Sequence, residues 1–241
     1  MPITLTHLFC KPARGQPVVA QDSMTLTAGM GIGGDIHAHQ LSPRQVLVTL
    51  ASQLDALQLA PGALSENLVL DGAAPEDFRP GSAIVSGDVE IRLTMYCEPC
   101  QRIAPLVGRP AAVIGRRGIL GVVVRGGTLR TGDAAALIAN RYAPLPESVQ
   151  QKFCDFVAAI PAGRVVRYRD VTLAIGVDDS FVRALPGYIR RNLARGLPLH
   201  RIVNGRGQLL AALPQQAALL AAEGVPSPGG AVDLARHLWQ G

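Results

Sequence analysis

The stretch "NRYAPLPESVQQ" carries Pro144 and Pro146 two residues apart, and no helix or central strand continues through such a pair. It separates two halves with different hydrophobic periods. Before it, "SAIVSGDVEIRLTMY" alternates around a Ser-Gly-Asp turn, and "RRGILGVVVRGGTLRTGD" reads as two strands joined at Gly126 and Gly127. After it, "ESVQQKFCDFVAAIP" sets Val149, Phe153, Phe156, Val157 and Ile160 on one helical stripe, which Pro161 to Gly163 stops. The patterns predict an α+β chain: a mostly β, barrel-like domain over residues 1–138, a linker over 139–146, and a small helical domain over 147–241.

One helix is expected in the first half, with Ser42 as N-cap, Pro43 in the first turn, and Val46, Leu50, Leu54 and Leu57 on one face. In the second half "YRDVTLAIG" reads as a short helix. "DDSFVRALPGYIRRNL" reads as another, capped by Asp178 or Asp179 and bent or ended early by Pro186. Two short helices in succession, the second rich in arginine, predict helix-turn-helix packing that offers one helix to a nucleic-acid groove. A last short helix falls around "VDLARHLW".

Charge is placed unevenly. Residues 1–143 carry 12 Lys and Arg against 11 Asp and Glu, whereas Arg164 to Arg206 holds nine arginines, three aspartates and no lysine. A block of that kind is either a solvated face or a surface whose planar donor forks suit phosphates and base edges. No run of about 18 apolar residues occurs, so no membrane span is expected. "MPITLTHLFCKPARG" lacks a basic start followed by an apolar stretch, so no signal peptide is expected. Of Cys10, Cys97, Cys100 and Cys154 only Cys97 and Cys100 are close, which fits a reducing cytoplasm.

"YCEPCQRI" is half of a zinc site, without a second pair, and it lacks the βαβ context of a redox motif. Cys97 is expected to be a packed small residue. Cys100 lies in an Arg-flanked loop, and convergence of Arg102, Arg116 and Arg117 would lower its thiol from about 8.5. A thiolate ligates soft metals or carries sulfur. The segments "GIGGDIHAHQLSPRQVLVT", "PGALSENLVLDG", "RPGSAIVSGDVEIRLT", "CEPCQR" and "GILGVVVRGGTLRTGD" follow in the order and spacing of a MOSC domain, the family named for the C-terminal domain of molybdenum cofactor sulfurase. The resemblance covers roughly residues 1–138. It implies a molybdenum cofactor, with Cys100 as metal ligand or sulfur carrier, and a pocket lined by Asp35, His37, Glu66, Asn67 and Arg102. Ile36 stands where many relatives have arginine. Free-standing members reduce N-hydroxylated bases, and pyridoxal phosphate binding is a further family-level association. Asp35 and His37 also read simply as turn residues.

In the second half "IPAGRVVRYRDVTLAIG", "FVRALPGYIRRN", "LPLHRIV" and "LLAAEGV" resemble O6-alkylguanine-DNA alkyltransferase over about residues 147–225. That family takes an alkyl group onto the cysteine of a Pro-Cys-His-Arg motif. This chain reads Pro198-Leu199-His200-Arg201; alkyltransferase-like proteins share this frame, usually with tryptophan in place of the cysteine, and bind alkylated bases without repairing them. The resemblance implies a small winged-helix-like domain. In it Tyr168 rotates the nucleotide out, Arg183 fills the gap in the stack, Arg190 and Arg191 meet phosphates, and Tyr188 offers a further stacking surface. Leu199, His200 and Arg201 then line the lesion pocket, with His200 a hydrogen-bonded structural residue and Arg201 part of a core network. Pro186 replaces a family glycine.

Together the two resemblances imply a nucleobase-damage response protein. Its first domain is a molybdenum-dependent oxidoreductase or sulfur carrier, and its second binds double-stranded DNA with modified guanine. Repair factors or an electron-donor protein are the further partners, and no membrane is involved. The alternative is a non-enzymatic lesion-binding protein with an inert first domain.

Overall fold

The computed structural model describes residues 2–99 and 103–241. The chain divides into two compact units, Met1–Leu145 and Pro146–Gly241. The first contains β1 (Ile3–Cys10), β2 (Val19–Gln21), β3 (Ser23–Thr27), β4 (Gly31–Ile32), β5 (Val46–Leu50), α1 (Ala51–Leu57), β6 (Leu68–Asp71), β7 (Ala83–Ser86), β8 (Val89–Tyr96), α2 (Ala104–Val107), β9 (Ile119–Arg125), β10 (Gly127–Arg130) and β11 (Ala134–Ile138).

The strands β11, β7, β8, β9, β5, β6 and β1 pair in that order, and β1 pairs back to β11, so seven strands close a barrel. β2 adds to β1 outside the closure, and β10, β3 and β4 form a separate small sheet. Bulges between Leu5 and His7 on β1, between Leu93 and Met95 on β8, and between Val123 and Arg125 on β9 supply the bending that closure requires. The interior is filled from alternating positions, among them Leu5, Val46, Val48, Leu50, Leu68, Leu70, Ile91, Leu93, Ile119 and Val123.

Two expectations need correcting. Residues 46–50 are a strand, not the start of a helix, and α1 begins at Ala51. The segment Val-Leu-Val-Thr-Leu is buried at all five positions because β5 lies between β6 and β9, with Leu47 packed outward against Cys97 and Leu120. Burial on both faces removes the alternation that marks a strand, and the leftover spacing mimics a helical stripe. β9 and β10 are strands as expected but do not pair as a hairpin: β10 pairs with β3. A side chain at Gly126 would meet the Leu26 carbonyl oxygen at 2.6 Å, so glycine lets the chain cross to the second sheet.

The segment after β11 is fastened to the barrel. Tyr142 donates its hydroxyl to Glu90 Oε1 at 2.6 Å, Arg125 Nε reaches Oε2 at 3.0 Å, and Arg92 Nη2 donates to the Ala143 carbonyl at 2.7 Å. The Tyr142 hydrogen bond is the main cause that holds the buried Glu90 carboxyl below its ordinary value.

The second unit contains α3 (Val149–Ala159), β12 (Val166–Arg167), α4 (Tyr168–Ala174), α5 (Leu185–Arg191), β13 (Ile202–Val203), α6 (Gln216–Ala222) and α7 (Leu234–His237). Ser148 caps α3 by accepting from the Gln151 amide, and Phe153, Val157 and Ile160 seat the expected stripe in the core. β12 and β13 pair in parallel. The arginine-rich helix is split: a 3-10 helix runs Asp179–Ala184, capped by Asp178, and α5 starts at Leu185 with Pro186 in its first turn. Proline lacks the N–H a helix interior uses but fits a first turn, so Pro186 marks a start where a bend or an early end was expected.

Tyr142→Phe removes one hydrogen bond to a buried carboxylate, and the unfolding free energy of the first unit, read by chemical denaturation, is expected to fall by about 1–2 kcal/mol.

Candidate functional site

In the first unit the turn after β4 carries Asp35. Gly34 has φ +78, a left-handed conformation that turns the chain and drives the next side chain inward. The Asp35 carboxylate is fully buried, while 45% of the His37 side chain is exposed. Asp35 Oδ2 accepts from the Lys11 amide and from Asn67 Nδ2, each at 2.8 Å. Its Oδ1 accepts from the His37 amide at 2.9 Å and meets His37 Nδ1 at 2.8 Å. Burial works to raise this carboxyl, but the His37 ring and the backbone amides of His37 and Lys11 outweigh it and hold it below its ordinary value. With Nδ1 engaged, His37 presents Nε2 outward.

Asn67 ties the turn to the barrel, accepting from the Leu47 amide at 2.9 Å and donating to the Phe9 carbonyl at 3.1 Å. Asp35, His37 and Asn67 therefore form one cluster. Glu66 serves a neighbouring turn, where its two oxygens accept from the Gly62 and Leu64 amides at 2.6 and 3.0 Å. Cys100 and Arg102 lie outside the described residues. Cys97 is buried with Leu47 and Leu120, and the Arg117 Nη1 donates to the Glu98 carbonyl. Among the described residues no group of three or more His, Cys, Asp and Glu side chains is arranged to hold a metal ion.

Sequence reasoning passed over two neighbours of this cluster. Lys11 is only 8% exposed, and its Nζ lies 3.5 Å from Ser65 Oγ. Cys10 lines a cavity of about 360 Å³ with Val19, Gln21, Met24 and Gly33, where burial, then the Asp35 charge, push its thiol up. A lysine directly after an eight-residue strand of alternating pattern was the available signal.

In the second unit Tyr168 is the first residue of α4, half-buried against the cluster that holds Leu199, Leu185 and Ile189, and burial pushes its phenol up. The 3-10 helix 179–184 packs on α4, and Phe181, two residues before Arg183, joins the same cluster. Arg183, Arg190 and Arg191 are exposed. Tyr188 has Phe153 and Phe181 tilted against it, with ring centroids 5.6 and 5.1 Å away, and the Arg191 guanidinium lies 4.4 Å over its ring. The fully buried Asn192 ends α5, donating to the Tyr188 carbonyl at 2.7 Å and accepting from Gln150 Nε2 at 2.7 Å.

Leu199 is 3% exposed, at the start of the 3-10 turn Leu199–Arg201. The two residues after it turn to Glu223. Arg201 Nη2 meets Glu223 Oε1 at 2.7 Å, Arg201 Nε meets both oxygens at 3.0–3.1 Å, and His200 Nε2 lies 2.8 Å from Oε1. The Gly163 amide adds a bond to Oε2 at 3.0 Å, and Arg201 Nη1 donates to the Ile160 carbonyl. The Arg201 hydrogen bond is the main cause that lowers Glu223 from 4.5 to about 2. Glu223 lies in the "LLAAEGV" segment, but its distance of 22 residues from Arg201 concealed the pairing.

A closed β barrel with an Asp-His-Asn cluster and a small helical unit with exposed arginines define an α+β protein of two units. Family models match residues 32–136 as a MOSC domain and residues 148–225 as the DNA-binding domain of 6-O-methylguanine DNA methyltransferase, so the chain carries one domain of each kind. It is 37% identical over 99 residues to the DNA base-flipping protein of Escherichia coli (strain K12), which covers 39% of this chain and 75% of that protein. The Shigella flexneri protein of the same name matches to the same extent. The crystal structure of the YuaD protein from Bacillus subtilis, 18% identical, covers 58% of this chain and 97% of its own with a TM-score of 0.51, a likeness of fold. No helix among the described residues is long and apolar enough to cross a membrane.

A carboxyl lowered by its partners stabilises the fold fully above its ordinary value, and this contribution is lost as pH falls toward the folded value. Unfolding free energy measured between pH 5 and pH 2 is therefore expected to fall more steeply in the natural chain than in Glu223→Gln. At neutral pH that variant is expected to be less stable by about 3 kcal/mol, because Arg201 loses its charge partner.

Proposed function

We propose that this chain is a nucleobase-damage response protein whose second unit extrudes a modified guanine from double-stranded DNA and holds it without reacting. The observation that carries the reading is Leu199, buried between Pro198 and His200 inside the segment matched to a methyltransferase DNA-binding domain. A hydrocarbon side chain has no lone pair with which to attack a carbon, so alkyl transfer has no acceptor at that position. The base-flipping relatives at 37% identity support the same reading.

In this reading Tyr168 levers the nucleotide out and Arg183 fills the vacated place in the stack. Extrusion costs a few kcal/mol, less for a damaged base that pairs poorly. Arg190 and Arg191 meet phosphates, and Tyr188 steadies Arg191 and offers its remaining edge for stacking. Leu199 forms an apolar floor for an alkyl substituent, and His200 and Arg201 hold that floor through Glu223.

For the first unit we infer a molybdenum-cofactor site. The donor set fits such a group in part: Lys11 offers N–H donors to a phosphate, with Asp35, His37, Glu66 and Asn67 building the wall beside it. Cys100 would supply the thiolate and Arg102 a further cation. When bound, the group supplies reduction of N-hydroxylated bases or accepts sulfur carried on Cys100. The protein then acts in the cytoplasm, with DNA as its partner and repair factors or an electron-donor protein beside it.

Binding of a short duplex carrying O6-methylguanine is expected to be at least ten-fold tighter than that of the guanine duplex, and Arg183→Ala is expected to lower this ratio. Equal affinities would reduce the second unit to general DNA attachment. Metal analysis of protein produced with cofactor supplied is expected to find molybdenum in the natural chain and less in Cys100→Ala. Its absence from both would leave the first unit an inert scaffold.

A further inference from the structure

Arg167 immediately precedes Tyr168 and is the N-cap residue of α4. Its side chain is clamped to Asp170, with Nε on Oδ2 at 2.9 Å and Nη2 on Oδ1 at 2.8 Å. The backbone amide of Arg167 binds Oδ2 as well, at 2.8 Å. Asp170 is spent on this one purpose, since its side chain is 4% exposed while that of Arg167 is 35% exposed. The carboxylate is thus inside and the guanidinium outside. Nη1 finds no acceptor among the described residues.

Simple helix capping does not need this arrangement. The bond from the Arg167 amide to Asp170 already closes the first turn of α4, and it would form with any side chain at 167. A long side chain, held in one rotamer and leaving one N–H edge toward solvent, is what recognition of an oxyanion requires. Ordering an arginine costs conformational entropy, and here that cost is met before any ligand arrives. The neighbouring Arg169 is exposed, so two guanidinium groups flank the tyrosine.

We propose that Arg167, held by Asp170, is a positioning residue that grips a backbone phosphate of the nucleotide Tyr168 displaces. The inference rests on the base-extruding reading of the second unit and adds a residue to it. Arg190 and Arg191, on α5, would meet phosphates whether or not a base has left the stack. Arg167, beside the levering tyrosine, would bind a phosphate whose place changes when the nucleotide rotates. Its contribution is therefore larger for a duplex in which extrusion is easy.

The experiment measures dissociation constants of the full chain for a duplex with one O6-methylguanine and for the guanine duplex, across a series of salt concentrations, with folding checked by circular dichroism. Arg167→Gln is expected to weaken binding of the lesion duplex several-fold more than that of the guanine duplex. It should also lower the salt slope for the lesion duplex by about one, as expected when one phosphate is no longer neutralised. Arg167→Lys, which keeps a charge, is expected to restore most of the slope. Asp170→Asn should keep the slope yet lose part of the lesion preference, because the guanidinium is present but unheld. An unchanged slope in folded Arg167→Gln, with the natural chain still preferring the lesion, overturns this proposal alone. A natural chain that binds both duplexes equally, or neither, overturns the base-extruding reading and this proposal with it.

Discussion

One carboxylate organises the second unit. Glu223, at the C-cap of α6, receives Arg201 and His200 from one turn and the Gly163 amide from another, while Arg201 passes on to the carbonyl that ends α3. Three stretches of chain far apart in sequence meet at this ion cluster. Leu199 is adjacent to it and inherits its position. A charge pair this well hydrogen-bonded tolerates partial burial, whereas an isolated carboxylate in the same place would be strongly unfavourable.

The first unit repeats the logic with different groups. Asp35 accepts from two backbone amides and one side-chain amide and meets one imidazole, all at 2.8–2.9 Å, so its negative charge is spent internally. What the cluster shows to solvent is the far side of the His37 ring. Here the acidic residue is hidden and its imidazole partner is presented, whereas in the second unit Glu223, His200 and Arg201 are buried to about the same degree.

How much of this was legible in the sequence varied with the range of the interaction. The turn between Ser86 and Val89 and the helix from Val149 were readable because their signals lie within a dozen residues. β5 was not, because its meaning depends on what covers each face: the barrel core over Val46, Val48 and Leu50 on one side, and Cys97 and Leu120 against Leu47 on the other. The Asp35–His37 pair lies within a single turn, yet which way the carboxylate faced depended on Asn67, 32 residues away. The Arg167–Asp170 clamp spans only three residues. An arginine and an aspartate at that spacing are most often a solvated pair of little consequence, and only the packing around α4 decides that this carboxylate is buried.

Pro186 has a chemical meaning beyond helix punctuation. A proline ring cannot occupy a helix interior without crowding the carbonyl four residues earlier, here that of Val182. The 3-10 segment and α5 are therefore barred from fusing into one uninterrupted rod. Arg183 stands on the 3-10 segment, and Arg190 and Arg191 stand on the last turn of α5. In the proposed reading, the residue that fills the stack and the pair that meets phosphates therefore sit on differently wound segments, and the proline at their junction keeps the two windings distinct.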